Sequence, residues 1–489
     1  MTGGQPSVPA ASIPDPAGLR TAARPAARVP REPPGPGGIL SGWPLMHEPL
    51  PFLERLVRDY GEVVGLRILN LRVCVVAHPD GIKHVLQDNH RNYRKSFDYK
   101  ILARLLGQGL VTAEGSLWLT QRRLMQPMFH RQKIAEFGAI MAQCTQEMVD
   151  HWRGPAECGQ PFDVMTEMMR LTLRIVGRAL LSMDLTSQAD EIGRNMTIAN
   201  ERFGEMGLSA FVPWLPTPGN LRFRNSAINL RKIVLDIIAE RRREGRDRGD
   251  LLSMLLAVRD DETGEGMKDE QLRDEVLTLI LAGHETTATA LSWTWYLLSQ
   301  NPEAERKLHD ELDKVLDGRP PTIDDLSNLN YTGMVIEESM RLYPPVWAVG
   351  RAALADDEIM GYRIREGSNL LLSQWLAHHH PAFWENPGIF EPERFSAART
   401  EGRPRYAFFP FGGGPRMCIG NLFALTEAQI VLATVAQKYS LRTLPDHPIE
   451  PQPLVTLRPR YGVKVMLEPR ENSHTLRGTA RRVPQAQVN

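Results

Sequence analysis

The sequence predicts a mainly α-helical fold with a small β region, built as one large domain. Three observations carry that expectation. Between residue 118 and about residue 300, apolar side chains recur at helical spacing almost without interruption. Two Val-, Ile- and Leu-rich runs, at 63–69 and 72–77, have the length and spacing of a β-hairpin. No linker, and no repeat of solenoid or propeller period, divides residues 39–469. A chain of 489 residues, 42% of them hydrophobic, has ample material for one large core.

Taken in order, residues 1–38 are rich in Pro, Ala, Gly and Arg and read as a disordered tail. Arg20, Arg24, Arg28 and Arg31 have the basic bias of a transit peptide. However, Pro25, Pro30, Pro33, Pro34 and Pro36 break the amphipathic helix such a segment needs. No apolar run there has the length of a signal peptide or membrane anchor. A short helix is expected near 51–60, ahead of the hairpin. The helical stretch carries polar breaks at 241–250 and 260–266. Its last member, 269–300, reads as one helix of about 32 residues, roughly 48 Å long and enough to cross the domain. Further helices are expected at 302–316 and 331–342, the second stopped by Pro344 and Pro345. Residues 343–375 alternate like short strands, 420–439 form one more apolar helix, and 470–489 read as a loose basic tail.

Basic and acidic side chains number 58 each, so the net charge is zero. That balance argues against general nucleic-acid or anionic-membrane binding, while leaving room for a local basic patch. Four cysteines, Cys74, Cys144, Cys158 and Cys418, are too scattered for a disulfide framework, and no C-x-x-C pair exists for zinc. A reducing compartment is expected.

The most informative segment is 408–420, FFPFGGGPRMCIG, which runs directly into an apolar helical stretch. Three consecutive glycines let the backbone turn sharply and approach a flat ligand. Cys418 falls at the mouth of the following helix, where loop N–H groups and the helix dipole favour a thiolate. Gly420 removes a side chain about one turn into that helix, and Arg416 stands two residues before the sulfur, within reach of an anionic group. A thiolate as sole axial ligand to haem iron suits these parts, whereas a lone cysteine by itself is equally a small buried hydrophobe. The context decides. Phe411, Gly414, Arg416, Cys418 and Gly420 match the signature F-x-x-G-x-R-x-C-x-G at every fixed position, Gly412 included among its glycines, and here the sequence resembles the cytochrome P-450 family of haem-thiolate enzymes. Further motifs extend the resemblance over roughly residues 40 to 468.

One of these lies in the middle of the 269–300 helix: Ala282-Gly283-His284-Glu285-Thr286-Thr287 is similar to the family's oxygen-activation motif. Gly283 weakens the helical ladder, and the Thr286 hydroxyl is placed to bond the Ala282 carbonyl and bend the helix. Glu285 and Thr286 match the acid–alcohol pair that relays protons to dioxygen. Glu338 and Arg341, at i and i+3, match the E-x-x-R element, and Arg394 its third partner. The resemblance implies that this triad supports the cysteine loop. Trp118 and Arg122, in W-x-x-x-R, and Arg351 match positions that hold haem propionates. One departure stands out. Many relatives carry His-Arg-x-Pro where this chain has His378-His379-His380-Pro381, which puts an arginine contact there in doubt.

The resemblance implies a cytochrome P-450 fold and a soluble, bacterial-type haem b monooxygenase of the cytoplasm. It would insert one oxygen atom from O2 into a fatty acid, terpenoid, steroid or polyketide-like molecule, by hydroxylation or epoxidation. A peroxide-using or isomerising relative and a non-catalytic haem-binding protein are the alternatives, and the acid–alcohol pair favours O2. Val346, Trp347, Ala348, Leu281 and Phe203 are the expected substrate-pocket residues, with the apolar run 208–216 as a lid. The 71 residues after Cys418 cannot hold a reductase domain of ordinary size. Electrons from NAD(P)H are therefore expected through a separate ferredoxin or flavodoxin with its reductase. Arg122, Arg123, Arg131 and Lys133 are the candidate docking patch. No nucleic-acid partner and no transmembrane anchor are expected, and the chain is expected to be a monomer.

Overall fold

The computed structural model describes residues 30–204, 215–259 and 266–470. Helices dominate, and the two expected strands Val63–Ile68 and Leu71–Val76 form an antiparallel hairpin. That hairpin supplies two strands of a five-stranded sheet, completed by Asn369–Leu372, Val349–Ala353 and Tyr93–Lys95. Leu71–Val76 pairs in parallel with Asn369–Leu372, so the N-terminal and C-terminal parts of the chain share one sheet. A second sheet joins Phe162–Asp163, Lys464–Pro469 and Tyr439–Thr443.

Polar signals set several helix starts. Asp163 caps Val164–Leu181 by accepting from the Met165 N–H at 3.1 Å, and Asp250 caps Leu251–Ala257 through the Ser253 N–H. Asp269–Gln300 is α-helical from end to end, as are Pro302–Leu316 and Asn421–Ala436. The first of these is buried along most of its length and packs chiefly against Val164–Leu181. This explains Gly283 differently from the sequence reading, because the helix continues through it. A Cβ at Gly283 would lie 2.9 Å from Val176 Cγ2, so the glycine is what lets the two helices approach. The Thr172 hydroxyl, donating to the His284 carbonyl at 2.9 Å, seals the same crossing.

Three boundaries move. Helix Pro218–Glu244 runs on through Arg241, where a polar break was expected, because the Arg241 guanidinium is buried against Asp250 at 2.8 Å. Asp98–Leu106 is a helix that the periodicity did not single out. The tail expected over 1–38 ends sooner: Arg31 bridges Tyr362, and the Gly65 N–H donates to the Pro34 carbonyl at 2.7 Å. At the other end Arg470 is held by Lys438, Ala436 and Asp313. The remaining residues of both expected tails, and residues 208–214 of the expected lid, lie outside the described residues. Among the described residues, no helix is long and apolar enough to cross a membrane.

Glu338 and Arg341 are wholly buried and paired through both carboxylate oxygens, at 2.7 and 2.8 Å. Arg394 closes on the same carboxylate at 3.3 Å, and the Glu391 N–H donates to it at 3.0 Å. Glu338→Ala would leave two buried guanidinium groups without their shared carboxylate. A loss of about 3–5 kcal/mol is expected, measured by denaturant unfolding of the haem-loaded protein.

Candidate functional site

Cys418 lines a cavity of about 330 Å³ between the long helix and the start of Asn421–Ala436. The Cys418 N–H donates to the Phe411 carbonyl at 2.9 Å, closing the loop into a tight ring. Gly412 and Gly414 have φ of +70° and +63°, which a side chain disfavours, and a Cβ on Gly414 would overlap the Leu86 carbonyl. Gly413 lies against the Tyr406 ring with no space for a Cβ. Gly420 is the cap of the helix rather than a residue one turn inside it. All of Phe411, Gly412, Arg416, Cys418 and Gly420 line the cavity.

The opposite wall is one face of the long helix. Leu279, Ala282, Gly283, Thr286, Thr287 and Ala290 line it, spaced at three and four residues. The Thr286 hydroxyl donates to the Ala282 carbonyl at 2.7 Å, as the sequence expected. Leu281 and Glu285 are not among the residues of this wall. Leu281 packs into the core instead of a distal groove. The buried Glu285 carboxylate points away from the cavity. It pairs with Arg458 at 3.0 Å and accepts from Asn200 at 2.6 Å and from the Thr456 hydroxyl. Burial opposes its charge, but Arg458 and these donors hold the carboxyl below its ordinary range. None of the three partners was legible beforehand, because they come from segments far apart in the chain.

Cations gather at a third side. Lys95, Arg122, Arg351 and Arg416 all line the cavity, with Trp118 between them. The Arg416 guanidinium stacks 3.8 Å from the Trp118 ring centroid and bonds the Ala113 carbonyl at 3.1 Å. Arg122 donates to the Met417 carbonyl at 2.8 Å, bracing the residue before Cys418. Among the described residues the one ion pair within this group is Arg416 with Glu114, at 2.7 Å. Burial and the nearby Arg416 charge push the Lys95 ammonium down to about 7. Lys95 was missed in the sequence, where it is one member of an ordinary basic run.

A sulfur ligand, a facing wall of small residues and a surplus of cations fit haem: the sulfur would hold iron, and Trp118, Lys95, Arg122, Arg351 and Arg416 its two propionates. The protein's own groups do not make Cys418 a thiolate. Burial pushes its thiol up, only partly opposed by the Gly420 N–H and Arg122. Iron supplies the positive charge that the loop lacks.

Residues 33–466 match the family model described as Cytochrome P450. The chain belongs to the cytochrome P450 family. Cyclooctatin synthase of Streptomyces melanosporofaciens is 38% identical over 90% of this chain and 96% of that protein. Cyclooctat-9-en-7-ol 5-monooxygenase of the same organism is 37% identical, over 82% and 87%. Pentalenene oxygenase of Streptomyces avermitilis is also 37% identical, over 85% and 92%. The crystal structure of the cytochrome P450DA haem domain superposes with a TM-score of 0.80 at 26% identity, covering 91% of this chain and 99% of that one. This P450 is therefore a haem-iron monooxygenase that inserts one oxygen atom from O2 into a hydrophobic small molecule.

The departure at 378–381 also has an explanation. His378 is buried and its Nε2 accepts the Phe409 N–H at 3.0 Å, while its carbonyl accepts from Arg341. His379, at the position where relatives carry arginine, bonds the Trp375 carbonyl at 2.8 Å and lines neither cavity described here. His380 pairs with Glu62, and among the described residues no cluster of His, Cys, Asp or Glu is arranged for a metal ion.

A second cavity of about 1040 Å³ adjoins the first, and Tyr99, Val111 and Val346 belong to the walls of both. Trp347 and Ala348 line only the larger one, and Trp347 is fixed by its indole N–H donating to the Leu454 carbonyl at 2.9 Å. Phe203 belongs to helix Ala189–Gly204, and its side chain lies outside the described residues.

Replacing Cys418 by Ala should abolish the strongly red-shifted Soret band of the reduced, carbon monoxide-bound protein, together with oxygenation. Retention of that band in the variant would remove the sulfur from the iron.

Proposed function

We propose that this P450 hydroxylates a cyclic terpene hydrocarbon or its mono-alcohol. The observation that carries the reading is the pair of joined cavities, the smaller between Cys418 and Thr286 and the larger walled by Trp347, Ala348, Leu102 and Leu454. These four residues offer a rigid polycycle apolar contact, while Glu54, Asp98 and Arg460 on the same lining can meet a hydroxyl. The names of the Streptomyces relatives, a cyclooctat-enol monooxygenase and a pentalenene oxygenase, support this substrate class.

Haem b, when bound, supplies the activation of O2 and the oxygen transfer itself. The protein's part is positioning and proton handling. Val346 and Val111 orient the substrate where the cavities meet, and Ala282 and Gly283 leave space on the helix face above the sulfur. Thr286 holds a proton at Oγ1 on the cavity wall. Glu285 serves as the relay behind it, and turning it toward Thr286 means breaking its pair with Arg458. Electrons come from NAD(P)H through a ferredoxin or flavodoxin and its reductase, in the cytoplasm, with the P450 a monomer. Arg122 is turned inward, and Lys133 is paired with Glu136 at 2.7 Å. The exposed Arg123 and Arg131 therefore remain as the docking cations.

Three outcomes are expected. Titration with cyclic terpene hydrocarbons and alkenols should shift the haem spin state, and turnover under isotopically labelled O2 should add one labelled oxygen; fatty acids, steroids and polyketides should do so weakly. Thr286→Ala should lower product formed per O2 consumed by at least about tenfold, read by oxygen electrode and chromatography. Arg123→Glu should slow reduction by the carrier roughly tenfold at low salt, with the difference vanishing at high salt.

A further inference from the structure

Two consecutive carboxylates on the long helix, Asp274 and Glu275, are buried outside the wall of the smaller cavity, and Asp274 also pairs with Arg273 at 2.6 Å. Each receives a backbone N–H from the loop 107–113. Asp274 accepts from Gln108 at 2.7 Å, and Glu275 accepts from Leu110 at 3.0 Å. The loop lies flush on the helix at these points. A Cβ on Gly107 would overlap the Asp274 carboxylate, and one on Gly109 would overlap the Thr278 hydroxyl. The far half of the loop is tied by Lys95, whose ammonium donates to the Ala113 carbonyl at 2.6 Å. Between these ties stand Leu110, on the wall of the smaller cavity, and Val111, on the walls of both.

The remaining oxygen of Glu275 supports the same arrangement. Glu275 Oε1 and Gln121 Oε1 are both buried and lack a partner while the carboxyl carries no proton. Gln121 is itself committed, donating to the Gln108 carbonyl at 2.7 Å. The Gln121 side chain stands beside the same carboxyl. Burial, with the Asp274 charge beside it, pushes the Glu275 carboxyl up to about 8, against the opposing pull of the Leu110 N–H, Gln121 and Lys95.

We propose that Asp274 and Glu275 are positioning residues for substrate selection, pinning the 107–113 loop to the long helix so that Val111 sets the width of the passage between the two cavities. The proposal rests on reading the larger cavity as the substrate's route to the haem. Neither residue touches substrate; both act through Leu110 and Val111.

The test uses the haem-loaded full chain and two nitrogen ligands of different size, imidazole and a bulky diphenyl-substituted imidazole, titrated by the Soret shift. In Glu275→Leu the Leu110 N–H loses its acceptor and the loop loosens. The ratio of the two dissociation constants should move at least about tenfold in favour of the bulky ligand, with imidazole unchanged. Glu275→Gln, which keeps an acceptor for Leu110 and a donor for Gln121, should behave as the wild type. Gly109→Ala lifts the loop with both carboxylates intact and should reproduce the Leu effect, so the idea stays testable if Glu275→Leu fails to load haem. Equal shifts for both ligands, no shift in either loosened variant, or a Gln variant as altered as the Leu variant would each overturn it. Because no turnover is measured, a negative result leaves terpene hydroxylation standing. Failure of every terpene to bind leaves the ligand ratio readable.

Discussion

Two guanidinium groups sharing one carboxylate in the dry interior hold the rest of this enzyme in register. Glu338 meets Arg341 and Arg394 with all three out of water. Such a cluster is costly to bury and tolerable only when its remaining hydrogen-bonding groups are satisfied. Arg341 meets that condition by donating to the carbonyls of His378, Pro387 and Ile389. The end of helix Gln374–His378 and the irregular stretch 387–389 are thereby fixed to one helix. His378 then accepts the Phe409 N–H, so the line of hydrogen bonds reaches the segment that turns into the cysteine loop. The geometry around Cys418 is inherited from a buried ion cluster several residues of packing away.

The site divides its labour by face. The long helix presents small residues and threonine hydroxyls to the cavity, its neighbouring face to Val164–Leu181, and its acids elsewhere. Arg458 and its neighbours outweigh burial and hold the Glu285 carboxyl below its ordinary range, whereas burial pushes the Glu275 carboxyl up, although both belong to one helix. Charge near the cavity is therefore almost all positive, concentrated in Lys95, Arg122, Arg351 and Arg416. That surplus is expensive without the anionic groups of a cofactor and becomes favourable with them.

Much of the fold and the site was readable in the amino-acid sequence. Helices 269–300 and 302–316 fall where their periodicity and proline placed them, because apolar spacing and backbone stops are local properties. The cysteine loop, Arg122, Arg351 and the Glu338–Arg341–Arg394 cluster were legible through fixed spacing and family resemblance. Leu281 was not, since a motif assigns positions while helix rotation assigns faces. The ordered residues 30–38 were misread for a related reason: composition says that a proline-rich segment forms no helix, but not whether a sheet edge lies beside it.

By itself, then, the sequence determined the family, the long helix and the chemistry class. These depend on residue types at short, fixed separations. Tertiary structure alone decided which side chains face the cavity, that Glu285 is clamped by Arg458, Asn200 and Thr456, that Lys95 joins the cation group, and that Asp274 and Glu275 accept from the 107–113 loop. Each of these unites residues far apart in the chain, and their charge and burial arise only when packing removes water between them.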